Sequence, residues 1–481
     1  MPVFSSIKSY PRIIPFIVRH RKALRLAWDV RRIGRGRPSI IAAWREKRLT
    51  DLIEFARTHS SFYRKRYANL ASPIKDVRYI PPVTKQELMA NFDGWVTDSA
   101  VTKAGVEAFI TDKTQVGDFY LGRYAVWTSS GVTGRHGIFV QDQDALRVFA
   151  TLAIVRGMMI WMTPRKGLTG FMRGDPAASV IRTGGHFVAP TVKALYRRLY
   201  PHISRRSRTY SVMTPLAELV EQLNALQPTF LVSFPTVLSL LANEQRDGTL
   251  RINPLFVATT AEWLSQTARD GIAAAFHCAV RNAYAASEFM GIAFDCVEGQ
   301  LHVNSDWVIL EPVDVNYQPI APGEISHTAL LTNLANRVQP IIRYDLGDSV
   351  TLNPDPCTCG SPLPAIRVEG RRDEILSFQS PGGEVIKLPP RAIANAVEGA
   401  AGIRRCQVIQ TAREELTIRI EATPGSDSKQ VWEGVAHRMR NYLSAQGLPS
   451  VKVERAEEPP MRDPVSGKYR TVWSELKTGN I

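Results

Sequence analysis

Short apolar runs alternate with helical stretches along this chain until about residue 369, and then the pattern changes. TFLVSFP at 229–235 reads as a buried strand, and TVLSLLANEQ reads as the helix after it. Repeated strand–helix alternation predicts an α/β body, because each strand buries both faces under the helices that connect it to the next. From residue 384 the order becomes strand (EVIKL), helix (389–398), strand (RCQVIQ), a turn at Arg413–Glu415, strand (LTIRIEA), helix (428–445) and strand (VKVERA). That is a βαββαβ module of domain size. GRRDEIL at 370–376 is polar and charged, which suits a hinge. A chain of 481 residues exceeds what one core holds. The expected division is a basic arm (1–48), a large body (49–370) and a small C-terminal domain (371–481).

Charge is uneven. Net charge is +15, and residues 1–50 carry 13 Lys and Arg against 2 Asp and Glu, leaving +4 for everything else. The basic arm reads either as a contact to an anionic membrane surface or nucleic acid, or as a solvated, partly helical extension packed on the body; the second is favoured. The body has no basic stripe interleaved with aromatics, so no nucleic-acid partner is expected. The run Ile13 to Val18 is short, flanked by Arg12, Arg19, Arg21 and Lys22, and lacks a small-residue cleavage site. It is neither signal peptide nor transmembrane segment, and the expected location is cytoplasmic. Five cysteines without a secretion signal argue against a disulfide framework. Helical patterning covers 51–70, with Leu52, Ile53, Phe55 and Ala56 on one side. In YIPPVTKQEL the Pro pair blocks helix, and Thr84 with Glu87 three residues on reads as a helix start.

The segment WTSSGVTGRHGIFV (127–140) carries chemistry. Thr128, Ser129 and Ser130 precede Gly131, and Thr133 and Gly134 follow. Glycines let the backbone approach an anion, and hydroxyls with N–H groups hydrogen-bond phosphate oxygens. No Gly-Lys-Ser/Thr follows, so this is not a Walker loop.

Four further segments stand in a fixed order behind it: NAYAASEF (282–289), IIRYDLGD (341–348), GRRDEIL (370–376) and MRDPVSGKYR (461–470). Together the five resemble the motifs of the adenylate-forming (acyl-CoA synthetase-like) ligases, over roughly residues 50–475. SSFYRKRY, PPVTKQEL, TTAEWLS and CTCGSPLP resemble the phenylacetate-CoA ligase branch. The resemblance implies an α/β fold: a large multi-layer N-terminal body with a small mobile α+β C-terminal domain. It implies ATP-dependent activation of a carboxylic acid, aromatic in this reading, to an acyl-AMP. Transfer to coenzyme A follows, with AMP and pyrophosphate released. The alternative is transfer to an amine, a hydroxyl or a carrier-protein thiol; a homodimer is left open.

By that resemblance Ser129, Ser130, Gly131, Thr133 and Gly134, with Thr128, wrap the triphosphate, and Arg135 keeps a positive charge beside it. Glu288 would hold Mg²⁺, Ser287 would touch the α-phosphate, and Tyr284 would stack on adenine. Asp348 and Arg371 would bind the ribose, and Lys468 would bridge substrate carboxylate and α-phosphate. Asp373 would be the hinge. Phe234, Pro235, Ala258, Thr259 and Ala283 would line the acyl pocket. One departure is Ala285, where the family motif has glycine. Joining two anions demands neutralised charge and in-line positioning, which these residue types supply.

Cys357 and Cys359 sit in a Gly/Pro-rich segment, with Cys296 and His302 upstream. Cys₃His is a full tetrahedral zinc set. Two readings stand: a structural Zn²⁺ site, or strand residues without metal. Cys278 and Cys406 lie in apolar contexts and read as buried thiols.

Overall fold

The computed structural model describes residues 10–71, 73–74, 76–129, 136–159, 175–463 and 467–476, with backbone only at 10–21 and 202–203. Its centre is a nine-stranded sheet. The strand order is Asp348–Leu352, Ala365–Arg371, Leu301–Val303, Ala293–Asp295, Val280–Tyr284, Phe256–Thr260, Phe230–Ser233, Ala177–Ile181, Ser207–Ser211. The last five of these run parallel, and the rest pair antiparallel. The inner parallel strands Ala177–Ile181, Phe230–Ser233 and Phe256–Thr260 are largely buried because helices cover them. Phe230–Ser233 is followed at once by the helix Pro235–Arg246, with Pro at its first position, where no backbone donor is lost. Leu231, Val257, Leu238, Leu241 and Ile272 build one core on that side of the sheet.

A larger core joins the N-terminal helices, the hairpin Ala125–Thr128/Ile138–Gln141 and the three-stranded sheet Val308–Val313, Thr328–Asn333, Tyr344–Asp345. Thr84 caps the helix Lys85–Ala90 by accepting the Glu87 amide. The basic N-terminal segment is helical (Tyr10–Ile33, then Pro38–His59), and Val30, Ile33, Leu49 and Leu52 are buried. Buried Asp306 ties it down, taking Arg156 through both oxygens at 2.6 and 2.9 Å while Arg156 also donates to the Val30 carbonyl at 3.0 Å.

The buried residues of the third core all lie within 376–472, and Trp263 packs against them from the body. Helices Pro390–Glu398 and Ser428–Ala445 pack on a four-stranded sheet ordered Lys452–Arg455, Glu415–Ala422, Ile403–Ala412, Val472–Ser474. Here the βαββαβ expectation is corrected. The strand Val385–Leu388 does not join this sheet; it pairs with Leu376–Gln379 in a separate hairpin. The fourth strand is Val472–Ser474, parallel to Ile403–Ala412. Alternation marks a strand but does not choose its partner.

Candidate functional site

The parallel strands end on one edge of the sheet, where ligands bind in open α/β folds. Strand Val280–Tyr284 delivers Tyr284 there, and the short turn after it delivers Ser287 and Glu288. Ala285 has no positive φ, so the glycine of the family motif is not required by the backbone here.

Asp348 opens the strand that pairs with Ala365–Arg371, directly opposite Arg371. One Asp348 oxygen accepts from the Tyr284 hydroxyl at 2.6 Å, and the other accepts from Arg371 at 2.8 Å. Gly347, at φ +70°, joins Tyr344–Asp345 to this strand, and the chain keeps its direction through it, antiparallel to 325–331. Burial raises the Tyr284 hydroxyl well above its ordinary range, and the neighbouring Asp348 adds to this, so Tyr284 stays a donor. Burial opposes the Arg371 charge, but Asp348 and Asp373 more than offset it and hold the cation.

Glu288 is buried, and one of its oxygens accepts from the Tyr344 hydroxyl at 2.7 Å. Its own backbone amide also lies within hydrogen-bonding reach of the carboxyl. Burial pushes its carboxyl above the ordinary range. The hard oxygens of such a carboxylate could hold a divalent cation such as Mg²⁺. Asn333 fixes the Glu288 carbonyl at 3.0 Å, and Trp127 donates to the Ser287 carbonyl at 2.9 Å, tying the turn to the Ala125–Thr128 hairpin.

The first strand of that hairpin ends at Thr128, where the Ser/Gly/Thr segment of the sequence begins. Thr128 pairs with the His186 carbonyl at 2.7 Å, and Ser129 closes the base of the loop by accepting from the Gly137 amide at 2.8 Å. Ser130, Gly131, Thr133, Gly134 and Arg135 lie outside the described residues.

Lys468 stands in the loop before the last strand, and that loop is seated on the body. Its neighbour Tyr469 donates its amide to Glu262 at 2.8 Å. Glu262 also accepts from Thr236 at 2.7 Å and pairs with Arg462 at 3.6 Å. Gly467, at φ +67°, passes so close to Val212 that a Cβ would come within 2.8 Å of it. On the other side the loop faces the turn Arg372–Glu374, which contains Asp373. Arg470 pairs there with Glu374 at 3.3 Å, and burial raises the Glu374 carboxyl against the pull of Arg470 and Lys468. The body and the C-terminal core thus meet at Lys468. Glu262, Tyr344 and Arg462 have no role legible in the sequence alone, although TTAEWLS, IIRYDLGD and MRDPVSGKYR contain them.

The pocket residues divide between the two faces of the sheet. Thr259 neighbours Ser233, and Phe234 belongs to the core on that side. Pro235 is buried at the start of the next helix. Ala258 packs against Phe230 and Phe256 on the opposite face, and Ala283 lies at the edge of the larger core.

Apart from this edge, Cys296, His302, Cys357 and Cys359 bring four donor atoms within 4.8 Å of one another. The Cys296 and Cys357 sulfurs are 3.8 Å apart, and Cys359 Sγ is 3.3 Å from His302 Nε2. Tetrahedral zinc with Zn–S about 2.3 Å and Zn–N about 2.0 Å places such pairs about 3.8 and 3.5 Å apart. His302 Nδ1 meets the Leu363 carbonyl at 2.8 Å, which fixes the tautomer leaving Nε2 free to bind metal.

No protein-family model matches the chain. It is 31% identical to Protein CapK of Staphylococcus aureus over 28% of each chain. It is 25% identical to the phenylacetate-coenzyme A ligase of Thermus thermophilus over 55% of this chain and 60% of that one. The matches therefore span about a quarter and about three fifths of those two relatives. Among solved structures, a 2-hydroxyisobutyryl-CoA ligase in its postadenylation state with R3-HIB-AMP overlaps with a TM-score of 0.66 at 18% identity, covering 91% of this chain and 89% of that one. The same ligase in its thioesterification state, with 2-HIB-AMP and CoA, overlaps at 0.52, again at 18% identity, covering 90% and 89%.

Proposed function

We propose that this chain, which has the fold of the adenylate-forming CoA ligases, activates a carboxylic acid with ATP and passes the acyl group to coenzyme A. The observation that carries the reading is the meeting of three groups at one strand edge: the Tyr284–Asp348–Arg371 set, the Glu288 carboxylate, and the loop of Lys468 seated from the far end of the sequence.

In the first step a carboxylate oxygen attacks the α-phosphorus of ATP. A P–O bond forms to the acid, the α–β bridging P–O bond breaks, and pyrophosphate leaves with the electron pair. Asp348, already oriented by Tyr284 and Arg371, accepts hydrogen bonds from the ribose diol. Arg371 holds charge near the ribose, and Tyr284 presents its ring to the base. The hydroxyls of Thr128 and Ser129 lead into the phosphate loop. Glu288, in a turn with Ser287 at the α-phosphate, would hold Mg²⁺, which when bound neutralises charge between the phosphates. Lys468 places a cation between the two anions that must meet. In the second step a thiolate attacks the acyl carbon and AMP leaves, after the C-terminal unit swings about Asp373. The better overlap with a postadenylation arrangement supports the view that the present pose serves the first step.

The acid itself would lie on the face of this edge that carries Ala258 and Ala283, a small apolar lining that suits a flat or short acyl group. The Cys₃His cluster would hold a structural zinc away from the chemistry. Pyrophosphate release screened over aromatic and aliphatic acids, with and without CoA, tests the reading. Acid-dependent release that Lys468→Ala abolishes is expected; release indifferent to both would reject it. Acyl-AMP that persists after CoA is added, but is consumed by an amine or a carrier thiol, would move the acceptor to the alternative.

A further inference from the structure

The helix Tyr10–Ile33 presents two unlike sides. Val30 and Ile33 are buried, and Leu26 and Ala27 pack at the edge of the large core. Leu24 (46% exposed) and Trp28 (59% exposed), one turn apart, face outward, and Ile40 (45%) stands exposed just beyond the bend into the next helix. Around them Lys22, Arg25, Arg31, Arg32, Arg35 and Arg37 are all exposed. Asp29 is the single acid between residues 22 and 40. The Arg32 guanidinium lies over the Trp28 ring, 4.6 Å from its centroid. The sequence just upstream repeats the mixture: Ile13, Ile14, Phe16, Ile17 and Val18 among Arg12, Arg19 and Arg21.

Exposed indole and aliphatic side chains have no gain in water, and a single exposed one needs no explanation. Here they share a surface with six cations and one acid. Cations alone would suit phosphates of any kind. Leucine and isoleucine gain nothing on a nucleic-acid backbone, but beside arginine and tryptophan they match the interface of an anionic bilayer: cations at the headgroups, indole at the boundary, aliphatics just below. No described helix is long and apolar enough to cross a membrane, so the helix would lie on the surface.

We propose that this face of the N-terminal helices docks the protein on an anionic lipid bilayer. Arg31, Arg32 and Arg35 meet lipid phosphates, and Trp28, Leu24 and Ile40 enter the interface. The proposal is independent of the reaction assigned above. Co-sedimentation of the full chain with vesicles tests it, comparing phosphatidylcholine alone with phosphatidylcholine plus phosphatidylglycerol. Binding is expected only to the anionic vesicles and to weaken as salt rises. Replacing Arg31, Arg32 and Arg35 together by Ser lowers the partition coefficient by about two orders of magnitude, about fivefold per cation. Trp28→Ala weakens binding while leaving the salt dependence in place. These side chains are exposed, so the thermal melts should match the parent. If the triple variant fails to fold, the Trp28→Ala and neutral-vesicle arms decide. Equal binding to both vesicle types, no binding to either, or binding that a duplex oligonucleotide competes away and Trp28→Ala leaves untouched would overturn it.

Discussion

The Glu262 carboxylate accepts the backbone amide of Tyr469 at 2.8 Å, so a residue of the body holds the peptide next to Lys468, 207 positions away. The same carboxylate binds Thr236 and pairs with Arg462, and its side chain is only 5% exposed. A bonded, buried carboxylate is strongly directional, and losing it leaves Arg462 without its counter-charge.

Glu262→Ala should therefore release the C-terminal unit from this pose, since Arg462 regains water only by leaving. Acyl-AMP formation is expected to slow at least about tenfold, the loss of a charged hydrogen bond worth about 1.5–3 kcal/mol. Thioester formation from supplied acyl-AMP should not slow. Single-turnover assays of the two half-reactions separate these outcomes. Equal slowing of both would show that Glu262 merely supports the fold.

Glu288 supplies a test with a worked sign. Burial raises its carboxyl in the folded state above its unfolded value. Stability from this group is thus fully present below the unfolded carboxyl range and is lost as pH rises through the raised folded value. Glu288→Gln keeps an acceptor for Tyr344 and removes the titration. The variant should match the parent in acid and become the more stable of the two as pH rises, while losing Mg²⁺-dependent adenylation. Melting temperatures across pH with Mg²⁺ absent check it; a gap that shrinks with rising pH would contradict the assignment.

Local signals in the sequence are legible, and distant ones are not. Thr84 caps its helix, Phe230–Ser233 is the buried strand before a Pro-started helix, and Ser428–Ala445 spans the expected residues. The Tyr284, Asp348 and Arg371 segments, far apart in the chain, are hydrogen-bonded to one another in the fold. What failed to show was pairing across the chain. Val385–Leu388 has the pattern of a sheet strand, yet its partner is the hairpin strand Leu376–Gln379. Val472–Ser474 is three residues long, too short for alternation to register. Glu262 looks like an exposed loop acid until the fold brings Tyr469, Arg462 and Thr236 to it. Buried polar groups are legible only with their partners, because it is the partner that makes burial affordable.

Metal analysis of protein purified without chelator should return about one zinc per chain. The 3.8 Å sulfur separation and the carbonyl-fixed His302 are the geometry of a closed four-ligand site. Cys359→Ser should lower zinc content and reduce the melting temperature by several degrees, because an ion held there would join the strand Leu301–Val303 to the segment 357–363. Adenylation per folded molecule should be retained. A parent that contains no zinc, and melts identically after chelation, would leave these residues as plain strand and loop thiols.

Asp306 holds two cations out of water: Arg156 through both carboxylate oxygens, and Arg48, whose guanidinium also lies 3.5 Å from the Trp307 ring centroid. Asp306 is fully buried and Arg156 nearly so. Asp306→Ala leaves the Arg156 charge without its counter-ion in the core, which costs about 3–5 kcal/mol where a buried pair loses one partner. The expected result is a large fall in urea midpoint, with faster amide exchange at the Val30 end of the first helix, because Arg156 also holds the Val30 carbonyl. Replacing Arg156 and Asp306 together by Leu should recover much of the loss, since both buried charges disappear. It should not recover all of it. Arg48 keeps its ring contact but loses its carboxylate, and burial already lowers its affinity for a proton. If the double variant were no more stable than Asp306→Ala, shape rather than unpaired charge would be what Asp306 contributes.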